Sequence, residues 1–274
     1  MNNIFIEGIQ GSGKTTLTDR LAAALPQLRP CREGDYSPVE LAWCAWVTAT
    51  EYESILRRFA PLRGQIIRHT VQEQEHFVIC YTKIKTEHPD FYRELESHEI
   101  YNGRMPFPDF RSLVFSRFRR FSGTGYLFEC SFFQNIIENL MLYYMLSDDE
   151  ILAFYRELYD CIDKDHFLLL YLQCGDLPEA IRTIRKERCD GAGNPIWFRM
   201  MMDYLTCSPY GRAHSLHNFD DLIAHFTRRQ HLELRIATEV IGDQAILLPS
   251  KAWTLSPALL SAIRQHPQNS SAPA

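Results

Sequence analysis

The chain has 274 residues, of which 46 % are apolar and 23 % are charged, a composition typical of globular proteins and not of disordered, collagen-like or disulfide-scaffold chains. A chain of this length buries enough surface to fold without a structural metal or disulfide. The 34 acidic and 29 basic residues give a formal net charge of −5. No global positive field therefore attracts nucleic acid, and nucleic-acid binding is not expected.

The cysteines and the chain start indicate the compartment. The eight cysteines are scattered, without a Cys-x-x-Cys pair or a Cys/His zinc spacing, which is typical of reduced thiols. The N-terminus enters an apolar strand at Ile4 without a basic leader, and no segment holds eighteen uncharged apolar residues. The sequence predicts a cytoplasmic protein that neither enters nor spans a membrane.

The first third of the chain predicts a strand, a glycine-rich turn and a helix. Residues 2–7 predict a short buried strand, and the helix extends from about Lys14 to Ala24, before Pro26. Residues 28–32 predict a second strand. A helical stretch after Pro38 carries Leu41, Trp43, Trp46 and Val47.

The rest of the chain alternates predicted helices and strands. Helices are predicted at residues 63–87, 107–121, 136–142, 177–188, 218–240 and 256–264, and strands at residues 126–129, 166–173 and 245–248. Residues 189–217 lack periodicity, and residues 267–274 are polar, which predicts a disordered tail. Strands separated by helices predict an α/β fold with a parallel sheet, in one domain spanning residues 1–266.

One motif has a specific chemistry. Residues 8–15, Gly-Ile-Gln-Gly-Ser-Gly-Lys-Thr, match G-x-x-x-x-G-K-[ST] between the first strand and the first helix. In such a loop, backbone N–H groups surround phosphate oxygens, the lysine reaches the β- and γ-phosphates, and the Thr15 hydroxyl binds Mg²⁺. The phosphate-binding residues that this motif predicts are Gly8, Gly11, Ser12, Gly13, Lys14, Thr15 and Thr16. The alternative is a glycine-rich turn that caps a helix.

Two segments together resemble a known family. Residues 7–17, EGIQGSGKTTL, and Arg32-Glu33-Gly34-Asp35 are similar to the thymidylate kinase and deoxynucleoside kinase family, which has an EGxxGSGK[ST]T opening and an acidic turn such as REPG. The resemblance implies a three-layer P-loop NTPase fold, with a central parallel sheet flanked by helices and an arginine-bearing lid. It also implies ATP, Mg²⁺ and a small-molecule acceptor. Homodimers are common in the family, although no motif here demonstrates one.

The acidic turn supplies a candidate catalytic carboxylate. By the resemblance, Glu33 or Asp35 lies beside the γ-phosphate, where it accepts a proton from the acceptor hydroxyl or positions Mg²⁺. Glu33 is the closer match to the family. The alternative is an acidic turn that caps the helix expected after Pro38.

Glu129 ends the apolar strand at residues 126–129. The resemblance places it at the Asp-Arg or Glu-Arg-Ser motif of the family, where an acid at the end of a central strand holds Mg²⁺ or an acceptor hydroxyl. Cys130 stands where the family has arginine, and a thiol cannot bind a phosphate as a guanidinium does. The alternative for Glu129 is a salt-bridged strand end.

Three arginines at helical spacing follow the strand at residues 166–173: Arg182, Arg185 and Arg188. They resemble the lid helix of these kinases, which implies a lid at about residues 177–217 with Arg182 and Arg185 as catalytic residues. The alternative is an exposed arginine-rich face with Glu179 and Glu187 as partners.

The sequence does not identify the acceptor. Aromatic residues between Trp43 and Tyr101 could stack on a base, although at helical spacing they are more often core. The function expected is transfer of the γ-phosphoryl group of ATP to a nucleoside or nucleoside monophosphate. The alternatives are a kinase for another small hydroxylated molecule, such as an antibiotic, and an ATP-binding regulatory NTPase.

Overall fold

The computed structural model describes residues 1–264, and the predicted tail at residues 267–274 lies outside them. The strands in this range are β1 (Asn3–Glu7), β2 (Arg29–Cys31), β3 (Ala45–Thr48), β4 (Thr70–Glu73), β5 (His76–Ile79), β6 (Tyr126–Glu129), β7 (Phe167–Gln173) and β8 (Ala245–Pro249). The helices are α1 (Lys14–Ala24), α2 (Ala49–Arg58), α3 (Arg63–Arg68), α4 (Phe91–Glu96), α5 (Phe107–Arg120), α6 (Gln134–Glu138), α7 (Asp148–Asp160), α8 (Leu177–Glu187), α9 (Ile196–Cys207), α10 (Pro209–Ala213), α11 (Phe219–Arg235) and α12 (Pro257–Arg264).

The chain divides into two compact units, the first formed by residues 1–30 together with residues from 122 onward, and the second by residues 31–121. The sequence predicts a single domain at residues 1–266, and that statement stays a prediction. Within residues 1–264, no helix combines the length and apolar character needed to cross a lipid bilayer.

A five-stranded parallel sheet organises the first unit, in the order β2-β6-β1-β7-β8. The central strand β1 pairs in parallel with β6, where Ile6 is opposite Glu129, and with β7, where Glu7 is opposite Tyr171. The carboxyl ends of these three strands therefore meet at one edge, which is where parallel sheets bind ligands. The predicted α/β class, central parallel sheet and flanking helices are confirmed.

Successive side chains of β1 point to opposite faces of the sheet. Ile4 and Ile6 pack with Leu17 and Leu21 of α1 in one apolar cluster, which also includes Ile263 of α12. On the other face, three stacked or tilted phenylalanines surround the ring of Phe5. Its ring centroid lies 4.8 Å from those of Phe128 and Phe167, and 5.7 Å from that of Phe132.

The second unit contains a three-stranded antiparallel sheet in the order β3-β5-β4. Val47 and Ile79 of this sheet are buried with Ile55 and Phe59 of the α2 segment and with Phe91 of α4. The α2 helix begins with a capping box, in which the Thr48 hydroxyl accepts from the Glu51 N–H and the Glu51 carboxylate accepts from the Thr48 N–H.

Two helix predictions in this unit are wrong. Of the stretch after Pro38, residues 45–48 form strand β3, since Trp43 at φ +61° interrupts any helix and Val47 favours extended backbone. Of the predicted helix at residues 63–87, only α3 is α-helical. Strands β4 and β5 follow as a hairpin that turns at Gln74, at φ +54°, and a 3-10 turn follows at Tyr81–Lys83. A glutamine in this conformation gives no turn signal in the sequence.

The segment at residues 189–217, expected to be aperiodic, contains helices α9 and α10. The sequence of α9, IWFRMMMDYLTC, is too uniformly apolar to show a helical period, although Trp197 and Leu205 are its buried residues. Helix α6 continues into a π-helical turn at Asn139–Tyr143, and α11 into another at Ile236–Ile241.

Candidate functional site

The glycine-rich loop at residues 8–13 connects β1 to α1. Gly8 has φ +141° and Gly11 has φ +75°, conformations that side chains other than glycine rarely adopt. A Cβ at Gly8 would lie 2.7 Å from the Leu172 carbonyl oxygen, and one at Gly11 would lie 2.2 Å from Ile184 Cδ1. Both backbone conformation and close packing therefore require glycine at these two positions.

Lys14, the first residue of α1, has its amine folded onto the loop. Its Nζ donates hydrogen bonds to the carbonyl oxygens of Gly8, at 2.7 Å, and Ile9, at 3.0 Å, and the residue is only 7 % exposed. Gly13 is the N-cap residue of α1, and no side chain caps the helix there. The positive end of the helix dipole and the lysine charge thus both lie at the loop.

Thr15 and Glu129, the two predicted metal-binding residues, are in contact. The Thr15 hydroxyl donates to Glu129 Oε1 at 2.5 Å, which connects the first turn of α1 to the end of β6. No group of three or more His, Cys, Asp and Glu side chains in residues 1–264 could hold a metal ion. A hydroxyl beside one carboxylate fits Mg²⁺, which takes few protein ligands and shares its remaining positions with water and phosphate.

Ser12 and Thr16, the other predicted phosphate-binding residues, differ in exposure. Ser12 is buried and its carbonyl oxygen accepts from the Ser250 hydroxyl at 2.9 Å, whereas its own Oγ has no hydrogen-bond partner among the described residues. Thr16 is exposed on the first turn of α1. The buried Ser12 hydroxyl is therefore a polar atom at the loop that a ligand oxygen could satisfy.

Glu7 is a fully buried carboxyl at the end of β1 to which the sequence assigned no role. Its Oε1 accepts from the Phe132 N–H at 2.6 Å, and its Oε2 has no partner among the described residues. Burial raises the pKa of Glu7 to about 7, and the nearby Glu233 contributes to the rise, whereas the Phe132 hydrogen bond and Lys14 oppose it. The sequence signal that could have singled out this carboxyl is a glutamate at the end of a strand, directly before a glycine-rich loop.

Cys130 follows Glu129 with a left-handed backbone, at φ +60°. Its thiol lies 3.5 Å from Gln134 Oε1, and its N–H donates to the Ile6 carbonyl oxygen at 3.2 Å. The position where the family has arginine is therefore a buried bend of the chain.

The predicted lid arginines project from α8. Arg182 Nη1 lies 3.6 Å from Glu179 Oε2, and both side chains are about half exposed. The Arg185 guanidinium carbon lies 4.4 Å from the ring centroid of Phe198 and 5.4 Å from that of Phe219. Each arginine therefore has a partner of its own, and the catalytic role of both stays a prediction.

Glu33 and Asp35 belong to the second unit and have different partners there. The Trp43 indole N–H donates to Glu33 Oε1 at 2.8 Å. Asp35 accepts from the Arg32 N–H at 3.0 Å and pairs with Lys83 at 2.7 Å. Asp35 is thus used to hold the turn, and the choice between Glu33 and Asp35 as the catalytic base stays a prediction.

Sequence reasoning also missed a buried ionic cluster in the first unit. Arg229 of α11 lies between Glu138 and Glu233, and His225 Nε2 lies 2.9 Å from Glu138 Oε2. Burial opposes ionisation of Glu138, but His225 and Arg229 outweigh it and hold the pKa of this carboxyl at about 2. Polar residues at helical spacing were the signal, although a solvated helix face has the same pattern.

These residues combine a rigid loop of backbone N–H groups, a lysine ammonium and a hydroxyl–carboxylate pair at the carboxyl edge of a parallel sheet. Such a set can bind a polyphosphate, neutralise part of its charge and hold a divalent cation beside it.

No protein-family model matches the chain, and no curated protein sequence matches it.

Proposed function

We propose that this chain is a Mg²⁺-dependent P-loop kinase that transfers the γ-phosphoryl group of ATP to a nucleoside or a nucleoside monophosphate. The observation that carries the proposal is the loop at residues 8–13, with its left-handed glycines and buried Lys14 between the central parallel strand and α1. This context is the one in which a G-x-x-x-x-G-K-[ST] sequence binds phosphate.

Lys14 supports the phosphate-binding role by its count of donors. An ammonium group has three N–H donors, and two of them donate to the carbonyl oxygens of Gly8 and Ile9. The third is available to a phosphate oxygen, so the loop holds the amine in place before ATP binds. The Ser12 N–H donates to the Ile9 carbonyl oxygen at 3.2 Å. The other backbone N–H groups of residues 8–13 and the hydroxyls of Ser12 and Thr16 complete the proposed phosphate contacts.

The Thr15–Glu129 contact supports a magnesium site. Because the Thr15 proton is directed at Glu129, the lone pairs of the hydroxyl oxygen are free to face a cation. Glu129 supplies the negative charge that a cation requires. Mg²⁺ bound there would neutralise charge on the β- and γ-phosphates.

Helix α8 supports the lid role through its contact with the loop. Ile184 of α8 packs against Gly11, so Arg182 and Arg185, on the same helix, belong to an element that already meets the loop. In the proposed mechanism these two arginines bind the transferring phosphoryl group. Arg185 must then leave the rings of Phe198 and Phe219. That Glu33 of the second unit accepts the proton of the acceptor hydroxyl stays a prediction from the family resemblance.

The test is ADP formation from Mg·ATP across a panel of ribo- and deoxynucleosides and their monophosphates. Lys14→Ala is expected to lower acceptor-dependent turnover on the order of a hundredfold to a thousandfold, because a donor to the developing phosphate charge is lost. Lys164→Ala, which removes an exposed lysine paired with Asp160, is the matched control and should keep full turnover.

Other outcomes would contradict the proposal in distinguishable ways. ATP binding without stimulation by any panel member would favour a different hydroxylated acceptor. Rapid hydrolysis without an acceptor would favour a regulatory NTPase. Full turnover by Lys14→Ala, or no ATP binding by the native chain, would exclude the proposed phosphate-binding role of the loop.

A further inference from the structure

Helix α11 buries a polar face. Its residues His225, Arg229, Gln230 and Glu233 are each at most 7 % exposed, and Arg229 is completely buried. Removing such groups from water costs several kcal/mol per unpaired charge, on the order of the stability of a whole domain. A helix with this face is stable only if its polar groups find partners inside the unit.

Arg229 finds three such partners. Its Nε donates to Glu233 Oε1 at 2.7 Å, and its Nη1 donates to Glu138 Oε1 at 2.6 Å. Glu233 Oε2 accepts in turn from the Tyr171 hydroxyl at 2.7 Å. Two carboxylates therefore balance the charge of the one guanidinium, while the buried Nη2 of Arg229 has no hydrogen-bond partner among the described residues.

The third partner of Arg229 is the glycine-rich loop. Nη1 also donates to the side-chain oxygen of Gln10 at 2.9 Å. Gln10 lies between Gly8 and Gly11, and a neutral amide that accepts from a guanidinium forms a strong hydrogen bond without adding negative charge beside a phosphate site. The buried cluster therefore holds the loop at its middle.

The same helix contacts other elements around the loop. The Gln230 side chain exchanges two hydrogen bonds of 2.9 Å with the backbone of Cys174, directly after β7. At the other end of α11, Phe219 contacts the Arg185 guanidinium. Helix α11 is thus fixed to the strand edge, to the loop and to α8, and is rigid enough to serve as a support.

We infer that Arg229 is a positioning residue that holds the glycine-rich loop in its phosphate-binding conformation through the side chain of Gln10. This inference rests on the proposed function. In this role Arg229 acts on nucleotide binding through the loop. It reduces the conformational freedom that the loop would otherwise lose when a triphosphate binds, and so increases affinity.

Gln10→Met tests the inference without disturbing the buried charges. Methionine has nearly the length of glutamine but no strong acceptor, and Arg229 keeps both of its carboxylates. The dissociation constant for Mg·ATP is expected to rise about tenfold, as for loss of one hydrogen bond to a charged group, in a variant that stays folded at the assay temperature. Gln27→Met, the same change at an exposed position of the first unit, should leave the dissociation constant unchanged.

Hydrogen exchange in the nucleotide-free protein separates positioning from direct contact. Gln10→Met should make the amides of residues 8–13 exchange about tenfold faster, whereas a side chain that only touched the nucleotide would leave their exchange unchanged. If the native chain binds Mg·ATP and Gln10→Met has the same affinity and the same amide exchange as the native chain, the positioning role alone is overturned. Failure of the native chain to bind Mg·ATP would instead overturn the proposed function.

Discussion

Buried carboxyl groups behave in opposite ways in two regions of this molecule. In the cluster around α11, Glu138 is held ionised, with its pKa at about 2, because His225 and Arg229 outweigh the cost of burial. In the second unit, burial raises the pKa of Glu40 to about 8 and that of Glu99 to about 7. The partners of Glu40 include the Ala42 N–H at 2.7 Å, and Glu99 accepts from the Tyr81 hydroxyl at 2.6 Å.

The difference teaches that burial raises the pKa of a carboxyl unless close cations outweigh it. Glu138 has two such cations, His225 and Arg229, at hydrogen-bond distance, whereas the cation paired with Glu99, Arg104 at 3.5 Å, does not offset burial. Glu7 is in the first unit but has a backbone N–H as its bonded partner and Glu233 nearby, and its pKa of about 7 follows the same rule.

The two classes have opposite effects on stability as the pH changes. The Glu138 pKa is lowered, so its contribution is present above about pH 4.5 and is lost as the pH falls through about 2. The Glu40 pKa is raised, so its contribution is complete below about pH 4.5 and is lost as the pH rises through about 8.

The largest effect is expected from a substitution that breaks the buried ionic cluster around Arg229. Arg229→Met should lower the free energy of unfolding by about 3–5 kcal/mol, because Glu138 and Glu233 then lose the cation between them. Arg228→Met is the matched control at the adjacent position, where Arg228 forms a half-exposed pair with Asp148 at 2.7 Å and should contribute less than about 1 kcal/mol. Urea unfolding at pH 7 measures both. Similar losses of unfolding free energy in the two variants would show that the buried cluster stabilises the protein no more than an exposed ion pair does.

A smaller effect of opposite sign is expected in the second unit. Glu40→Gln keeps an oxygen that can accept from the Ala42 N–H but cannot ionise. It should stabilise the protein at pH 9 by roughly 2–4 kcal/mol, given a pKa raised from 4.5 to about 8, and not at pH 5. Thermal midpoints at the two pH values test this, with the exposed Glu53→Gln as control. A gain of equal size at both pH values would contradict the protonated state.

The smallest effect is expected at two helix N-caps, one in each unit, whose removal should lower stability by similar amounts. Thr48 in the second unit and Ser147 in the first begin α2 and α7 with capping boxes. Thr48→Ala and Ser147→Ala should each cost about 1 kcal/mol, because a cap is local and exposed. Denaturant titration should give nearly equal losses. A clear difference between them would mean that helix ends, like buried acids, depend on the unit that contains them.

The sequence predicted the parts of the fold whose signals are local. Strands β1, β6 and β7 each contain an apolar run of three or more residues, and α1 lies between a glycine-rich turn and Pro26. The hairpin of β4 and β5 was missed because its strands are stabilised by pairing across the sheet, as between Val71 and Val78, and not by a period within either segment.

The same limit applies to the site. The loop residues were found because G-x-x-x-x-G-K-[ST] is contiguous, and Glu129 because it ends an apolar strand. Arg229 was not found, because its partners Gln10 and Glu138 are 219 and 91 residues away. Charged residues on an amphipathic helix look the same in a sequence whether they face water or each other.

The contact between Gly11 and Ile184 makes the tolerance of these two positions to substitution unequal. A smaller residue at 184 would open space beside position 11, since the Ile184 side chain occupies the volume of a Cβ there. The left-handed backbone at Gly11 would still disfavour any side chain. In a library randomised at both positions, accepted variants should therefore include residues smaller than isoleucine at 184 but only glycine at 11. A smaller residue at 184 would not make a side chain at position 11 acceptable.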